Sequence, residues 1–137
     1  MRYGIFSDVH SNLEALESVL KYFSSERINA FLCIGDLVGY GPNPNECVQR
    51  ISSLKRVQVT AGNHDHAAVG MKETTWFNDY AARALTWTKR ALKEDSRNYI
   101  MRLPRLIDAS LFTLAHGSPR DPIDEYLLTA RQYLDNS

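Results

Sequence analysis

The sequence predicts an α/β fold built on a mostly parallel sheet, and three observations carry that prediction. Short apolar runs at residues 3–6 and 30–34, and a run at 56–61 with the β-branched Val57, Val59 and Thr60, each stop at a serine or glycine. Between them lie segments whose apolar residues recur at helical spacing. Strand, helix, strand, helix, strand is the order that crossover connections lay down as parallel neighbours. Two later apolar runs, 106–107 and 111–115, flank Asp108-Ala109-Ser110 and predict a hairpin that starts a second, antiparallel or mixed sheet.

Taken in order, Tyr3 to Phe6 reads as a buried strand ending at Ser7 and Asp8. Ser11 with Glu14 three residues on is a capping box. It opens a helix that carries Leu13, Leu16, Val19, Leu20 and Phe23 on one face. Ala30 to Ile34 is the second strand, stopped by Gly35. After the loop Gly39-Tyr40-Gly41-Pro42, Asn43 caps a helix with Pro44 at its first position and Cys47, Val48, Ile51 and Leu54 turned inward. The third strand has the β-branched Val57, Val59 and Thr60 and breaks at Gly62. Residues 76–93 carry Phe77, Tyr80, Ala81, Ala84, Leu85, Thr88 and Leu92 at helical spacing, and a shorter helix ends before Pro104. Residues 121–134 read as helical again.

Composition bounds the function classes. The 137 residues, 44% apolar and 23% charged, are one globular domain's worth, so residues 1–137 are expected to form a single domain. Sixteen basic residues cancel sixteen acidic ones, so no charge excess points to nucleic acid or a membrane surface. No apolar run is long enough to span a bilayer. Arg2, Asp8 and His10 leave no room for a signal peptide in the opening segment. Cys33 and Cys47 make neither a disulfide framework nor a metal motif. A cytoplasmic protein with no nucleic-acid or membrane partner is the expectation.

In such sheets, sites form at the C-terminal ends of the strands. The strands here run into Asp8-Val9-His10, then Gly35-Asp36, then Gly62-Asn63-His64-Asp65, then His116-Gly117. Three of the four histidines stand at a predicted strand end; His66 lies two residues past one and reads as a helix-start or surface histidine. Any one fragment alone is most simply a turn, but their recurrence at strand ends points to a metal site. In extended backbone, Asp8 and His10 point the same way and can reach one ion. The Asp36 carboxylate can bridge two cations, Asn63 offers a neutral amide oxygen, and His116 an imidazole. Oxygen and nitrogen donors without thiolate suit Mn, Fe, Zn, Co or Ni rather than a structural zinc tetrahedron. Two such ions roughly 3.5–4 Å apart are a common device for displacement at phosphorus.

These motifs resemble the calcineurin-like metallophosphoesterase superfamily, whose pattern runs D-x-H, G-D, G-N-H-D/E, H and G-H-x-H. Ser11-Asn12, the segment from Gly39 to Pro44 and His116-Gly117-Ser118-Pro119 are similar to its prokaryotic small phosphodiesterase branch. The resemblance implies a β-sandwich flanked by helices. It also implies metal-dependent hydrolysis of phosphodiesters, with monoesters as a second class, by a hydroxide bridging two divalent ions. Manganese stands first among the candidate metals, with iron, zinc, nickel and cobalt behind it. Asp8 and His10 would hold one ion, Asn63 and His116 the other, with Asp36 between them. His64 would assist the leaving oxygen and Asp65 would hydrogen-bond and orient His64. Asn12 and Tyr40 would contact a small phosphoester substrate.

One element of the pattern is missing: no histidine comes after His116, so the G-H-x-H is absent. The expectation is a domain truncated at its C-terminus relative to the family and weakly active by itself, whose second sheet a further copy or a complementing chain completes. A non-catalytic scaffold for protein interaction is the rival, weakened by the presence of His64.

Overall fold

Three strands form a parallel sheet whose C-terminal ends carry the residues of interest. They are β1 (Tyr3–Phe6), β2 (Ala30–Ile34) and β3 (Val57–Thr60), ordered β1-β2-β3 in this computed structural model, which describes residues 2–136. Tyr3 pairs with Ala30, and Phe31 with Val57. The crossovers are α1 (Leu13–Ser25) and α2 (Pro44–Ser52). Beyond β3 come α3 (Asn63–Ala68), α4 (Asp79–Ala91) and α5 (Glu94–Met101). The antiparallel hairpin β4 (Leu106–Ala109) and β5 (Phe112–Ala115) comes next, and then α6 (Ala130–Leu134). The α/β fold with a parallel sheet and a second, two-stranded sheet is thus present as expected.

The core forms where helix faces meet the sheet. Leu16 and Leu20 of α1, Cys47, Val48 and Ile51 of α2, and Cys33 and Val59 of the sheet are buried in one cluster with Leu85, Leu92 and Ile100. Cys33 is fully enclosed, and burial pushes its thiol pKa up, so it acts as a small hydrophobe. Asn45 ties the helices together: its Nδ2 donates to the Ala91 carbonyl at 2.9 Å and its Oδ1 accepts from Lys93 N at 2.8 Å. Asn45→Ala strands both backbone groups at the junction of α4 and α5. It is expected to lower stability by about 2 kcal/mol, seen as a lower urea midpoint at unchanged slope.

Several elements differ from the sequence expectation. β1 is only half buried: Gly4 faces inward, while Ile5 is 59% exposed and Tyr3 meets solvent and, edge-on, the Phe112 ring. Ser11 does not cap α1, because it takes a left-handed conformation (φ 59°); Asn12 does so instead, accepting from Ala15 N at 3.0 Å. The Gly62-Asn63-His64-Asp65 motif is not a simple turn, since α3 starts directly on it. α4 starts later than expected because Asn78 caps it, leaving Trp76 and Phe77 in the preceding loop. The tail is helical only over α6. Asp121 Oδ1 accepts from Ile123 N and Asp124 N, and Gly117 N donates to the Pro122 carbonyl, so 117–124 is committed to turns. No helix among the described residues is long and apolar enough to cross a membrane.

Candidate metal centre

Asp8, His10, Asp36, Asn63, His64 and His116 converge at the C-terminal ends of the parallel strands, but not by the route the sequence suggested. β1 ends at Phe6, and Asp8 and His10 are both left-handed (φ 55° and 48°), so strand alternation does not bring them together. Asp36 and Tyr40 share that conformation (φ 53° and 57°). Each such residue costs on the order of 1 kcal/mol or more and persists only where its surroundings enforce it. Here two loops remote in sequence are laced through the backbone. Asp8 N, His10 N and Ser11 N donate to the carbonyls of Gly35, Asp36 and Leu37, and Gly41 N returns a bond to the His10 carbonyl.

Asp36 sits at the centre. Its Oδ2 lies 3.7 Å from His10 Nε2 and 3.4 Å from His116 Nε2, and Asp8 Oδ1 is 3.6 Å from His10 Nε2. Its other oxygen, Oδ1, accepts from His64 N at 2.9 Å, which locks the carboxylate against the start of α3. Two groups of donor atoms share this carboxylate: His10, Asp36 and His64, and Asp8, Asp36 and His116, the atoms within each group lying within 4.8 Å of one another. Asn63 Oδ1 faces His116 Nε2 at 3.2 Å.

The tautomers are set by the outer partners. His10 Nδ1 lies 3.2 Å from the Val38 carbonyl oxygen and His116 Nδ1 2.9 Å from that of Ile34. A carbonyl only accepts, so each Nδ1 carries the proton and donates it. Each Nε2 then presents a lone pair to Asp36 and, for His116, also to the Asn63 oxygen. Acceptors face acceptors across the cluster, an arrangement that a cation relieves and that holds imidazole ligands in the orientation a metal needs. The donor set fits divalent cations.

Electrostatics agree. Burial raises the Asp36 pKa, with Asp8 adding to it, so the carboxylate gains from a neighbouring positive charge. Burial holds His64 down at about 4, and His10 and His116 reinforce that, so its ring is neutral near pH 7. The expected hydrogen bond between Asp65 and His64 is not made. Asp65 is fully buried, and its oxygens accept from Gly62 N at 3.0 Å and Val38 N at 3.2 Å, tying the first turn of α3 to the loop after β2. Asp65 therefore fixes the start of the helix that carries Asn63 and His64. Among the described residues His64 Nδ1 has no hydrogen-bond partner.

Tyr40 packs beside His64 and His10, with ring centroids 4.9 Å from each, whereas the Asn12 side chain is occupied as the α1 cap. His66 belongs to neither donor group. Two glycines outside the expected ligand set shape the site. A Cβ on Gly39 would stand 2.6 Å from His64 Nδ1, and one on Gly62 would stand 2.0 Å from Asp36 Oδ1. Both glycines are visible beside the motifs in the sequence, but the close approach is not.

Known proteins share this arrangement of chain. The protein is 39% identical over 138 residues to an uncharacterised protein of Methanocaldococcus jannaschii, covering 97% of this chain and 56% of that one. A metallophosphoesterase of Sphaerobacter thermophilus superposes with a TM-score of 0.85 at 41% identity, covering 99% of this chain and 55% of that structure. A symmetrical bis(5'-nucleosyl)-tetraphosphatase of Buchnera aphidicola is 36% identical over 83 residues, 54% of this chain and 30% of that protein. The chain thus spans about half the length, or less, of these relatives. The family described as calcineurin-like phosphoesterase matches residues 1–134, and by that match this protein belongs to it.

Proposed function

We propose that this site hydrolyses phosphoesters, phosphodiesters in preference to monoesters, with two divalent cations held around Asp36. The observation that carries the reading is the convergence of acceptor atoms from Asp8, His10, Asp36, Asn63 and His116 on one point, with His64 packed against them. Membership of a phosphoesterase family supports it. Cations bound there would supply charge stabilisation at phosphorus and an activated water.

The chain's own residues do the rest. Asp8 and His10 would hold one ion and Asn63 and His116 the other, with Asp36 shared. The carbonyls of Val38 and Ile34 keep the two ligand imidazoles in the required tautomer. His64, its ring centroid 4.7 Å from that of His10, stands beside this point to donate a hydrogen bond from its neutral ring to the departing oxygen. Tyr40 and Phe77 flank the His64 ring and limit its movement. Water, or groups from a second copy or a complementing segment of chain, would complete the set of donors around the cations.

Manganese-dependent hydrolysis of bis-p-nitrophenyl phosphate, compared with the p-nitrophenyl monoester, tests the reading. Faster monoester turnover would reverse the substrate preference; no metal uptake and no turnover of either would overturn the enzyme altogether. His64→Ala is expected to lower turnover by about 10²–10⁴-fold while metal content stays unchanged. Loss of metal in that variant would make His64 a ligand instead.

A further inference from the structure

Beside the metal centre lies a cleft of about 510 Å³, and the proposed chemistry gives no role to Lys72, Trp76, Asn78, Asp124 and Tyr126 in its lining. Its floor is Asn63 and His64, and its rim carries Tyr40, Trp76 and Tyr126. Trp76 is 85% exposed and Tyr126 61%, and among the described residues neither ring stacks on another. Two chain segments far apart in sequence build this rim. Lys72, on the loop that carries Trp76, pairs with Asp124, two residues before Tyr126, at 2.7 Å. That ion pair joins the two walls that carry the aromatic rings.

Resting on the phosphoesterase reading, we propose that this cleft is a base-recognition subsite, in which Trp76 and Tyr126 take the planar base of a nucleoside phosphoester whose phosphorus lies at the metal centre. Exposed indole and phenol rings offer flat apolar faces that gain by covering another ring. Base-on-aromatic stacking needs only such a π-face. The volume suits a small ligand, and continuity with His64 and Asn63 places the cleft where a substituent on the phosphorus would extend. Lys72, Asn78 and Asp124 also line it, and these polar groups favour a heterocycle with donors and acceptors over an acyl chain. Trp76 and Tyr126 would act as specificity residues, leaving the reacting atoms to the metal ligands and His64.

The test is calorimetric titration of the full chain, in manganese buffer, with AMP and with ribose 5-phosphate. The two probes share sugar and phosphate, so their affinity ratio reports the base. AMP is expected to bind about tenfold more tightly or better, in line with the loss typical when a stacking residue is removed. Trp76→Ala should bring the ratio close to one, Trp76→Phe should restore most of it, and Tyr126→Ala should lower it. Equal binding of the two probes, no binding of either at millimolar concentration, or a ratio unmoved by Trp76→Ala overturns the subsite. Both exposed side chains can be cut back without opening the core. Intact hydrolysis of bis-p-nitrophenyl phosphate with a ratio of one removes the subsite and leaves the activity. A retained ratio without hydrolysis does the reverse.

Discussion

Asp36→Asn is expected to lower turnover by on the order of 10²–10³-fold or more and to cut manganese uptake. Asparagine keeps the size of the side chain and an oxygen to accept from His64 N, now at 2.9 Å, so the start of α3 should hold. What it removes is the negative charge that lies within 3.7 Å of both ligand imidazoles. The same substitution separates metal binding from folding. In the wild-type chain, a cation at 100 times its Kd adds about 2.7 kcal/mol of stability by linkage, read as a manganese-dependent rise in Tm. The variant should lose that rise. Without metal it should be at least as stable as wild type, because a buried charge close to Asp8 and Asp65 has gone. An Asp36→Asn chain that keeps its full metal content would overturn the central place given to this carboxylate.

The second large effect is steric. Gly62 has an ordinary extended backbone (φ −107°, ψ 175°), so alanine there suffers no conformational strain. Its Cβ would nevertheless lie 2.0 Å from Asp36 Oδ1 and 2.4 Å from Asp36 N. A side-chain oxygen could swing aside, but a backbone nitrogen moves only with its loop, which the Asp36 carbonyl ties to His10 N. Gly62→Ala should cost about 3 kcal/mol or more, the upper range for overpacking, and should lower the urea midpoint at constant slope. Asp36 is pushed out of line by the same contact, so metal uptake should fall with stability. A variant that folds with wild-type midpoint and metal content would show that the two strand ends can separate without harm.

Much of the site is readable in the sequence because its residues come directly after strand ends. Asp36 comes one residue after the Gly35 that closes β2, and Asn63 and His64 come just past the Gly62 that closes β3. Parallel strands deliver their C-terminal ends to one side, so order along the chain becomes proximity in space. The strands are readable too, since their apolar, β-branched runs are short and sharply ended. Less readable is anything decided by competition among backbone donors. Asp65 has the spacing of a partner for His64, but the Gly62 amide at the head of α3 and the Val38 amide in the loop after β2 claim its two oxygens. Residues 121–134 have helical spacing, yet Asp121 caps only a short turn, and regular helix begins only where Thr129 caps α6. The capping of α1 moves from Ser11 to Asn12 because Ser11 is bent to meet the Leu37 carbonyl, a contact 26 residues away in the chain.

The division has a physical basis. Residue types and their periodicity determined the α/β class, the parallel pairing and which donor-bearing residues stand at the strand ends, since these depend on local propensity and on which strand each residue comes after. Only the tertiary structure decided how these donors face one another: the left-handed kinks at Asp8, His10 and Asp36, the tautomers set by Val38 and Ile34, and the aromatic cleft whose two walls the Lys72–Asp124 ion pair joins. Each of these depends on a hydrogen bond or ion pair between segments distant in sequence. No local pattern records such a bond, because it exists only once the chain has packed.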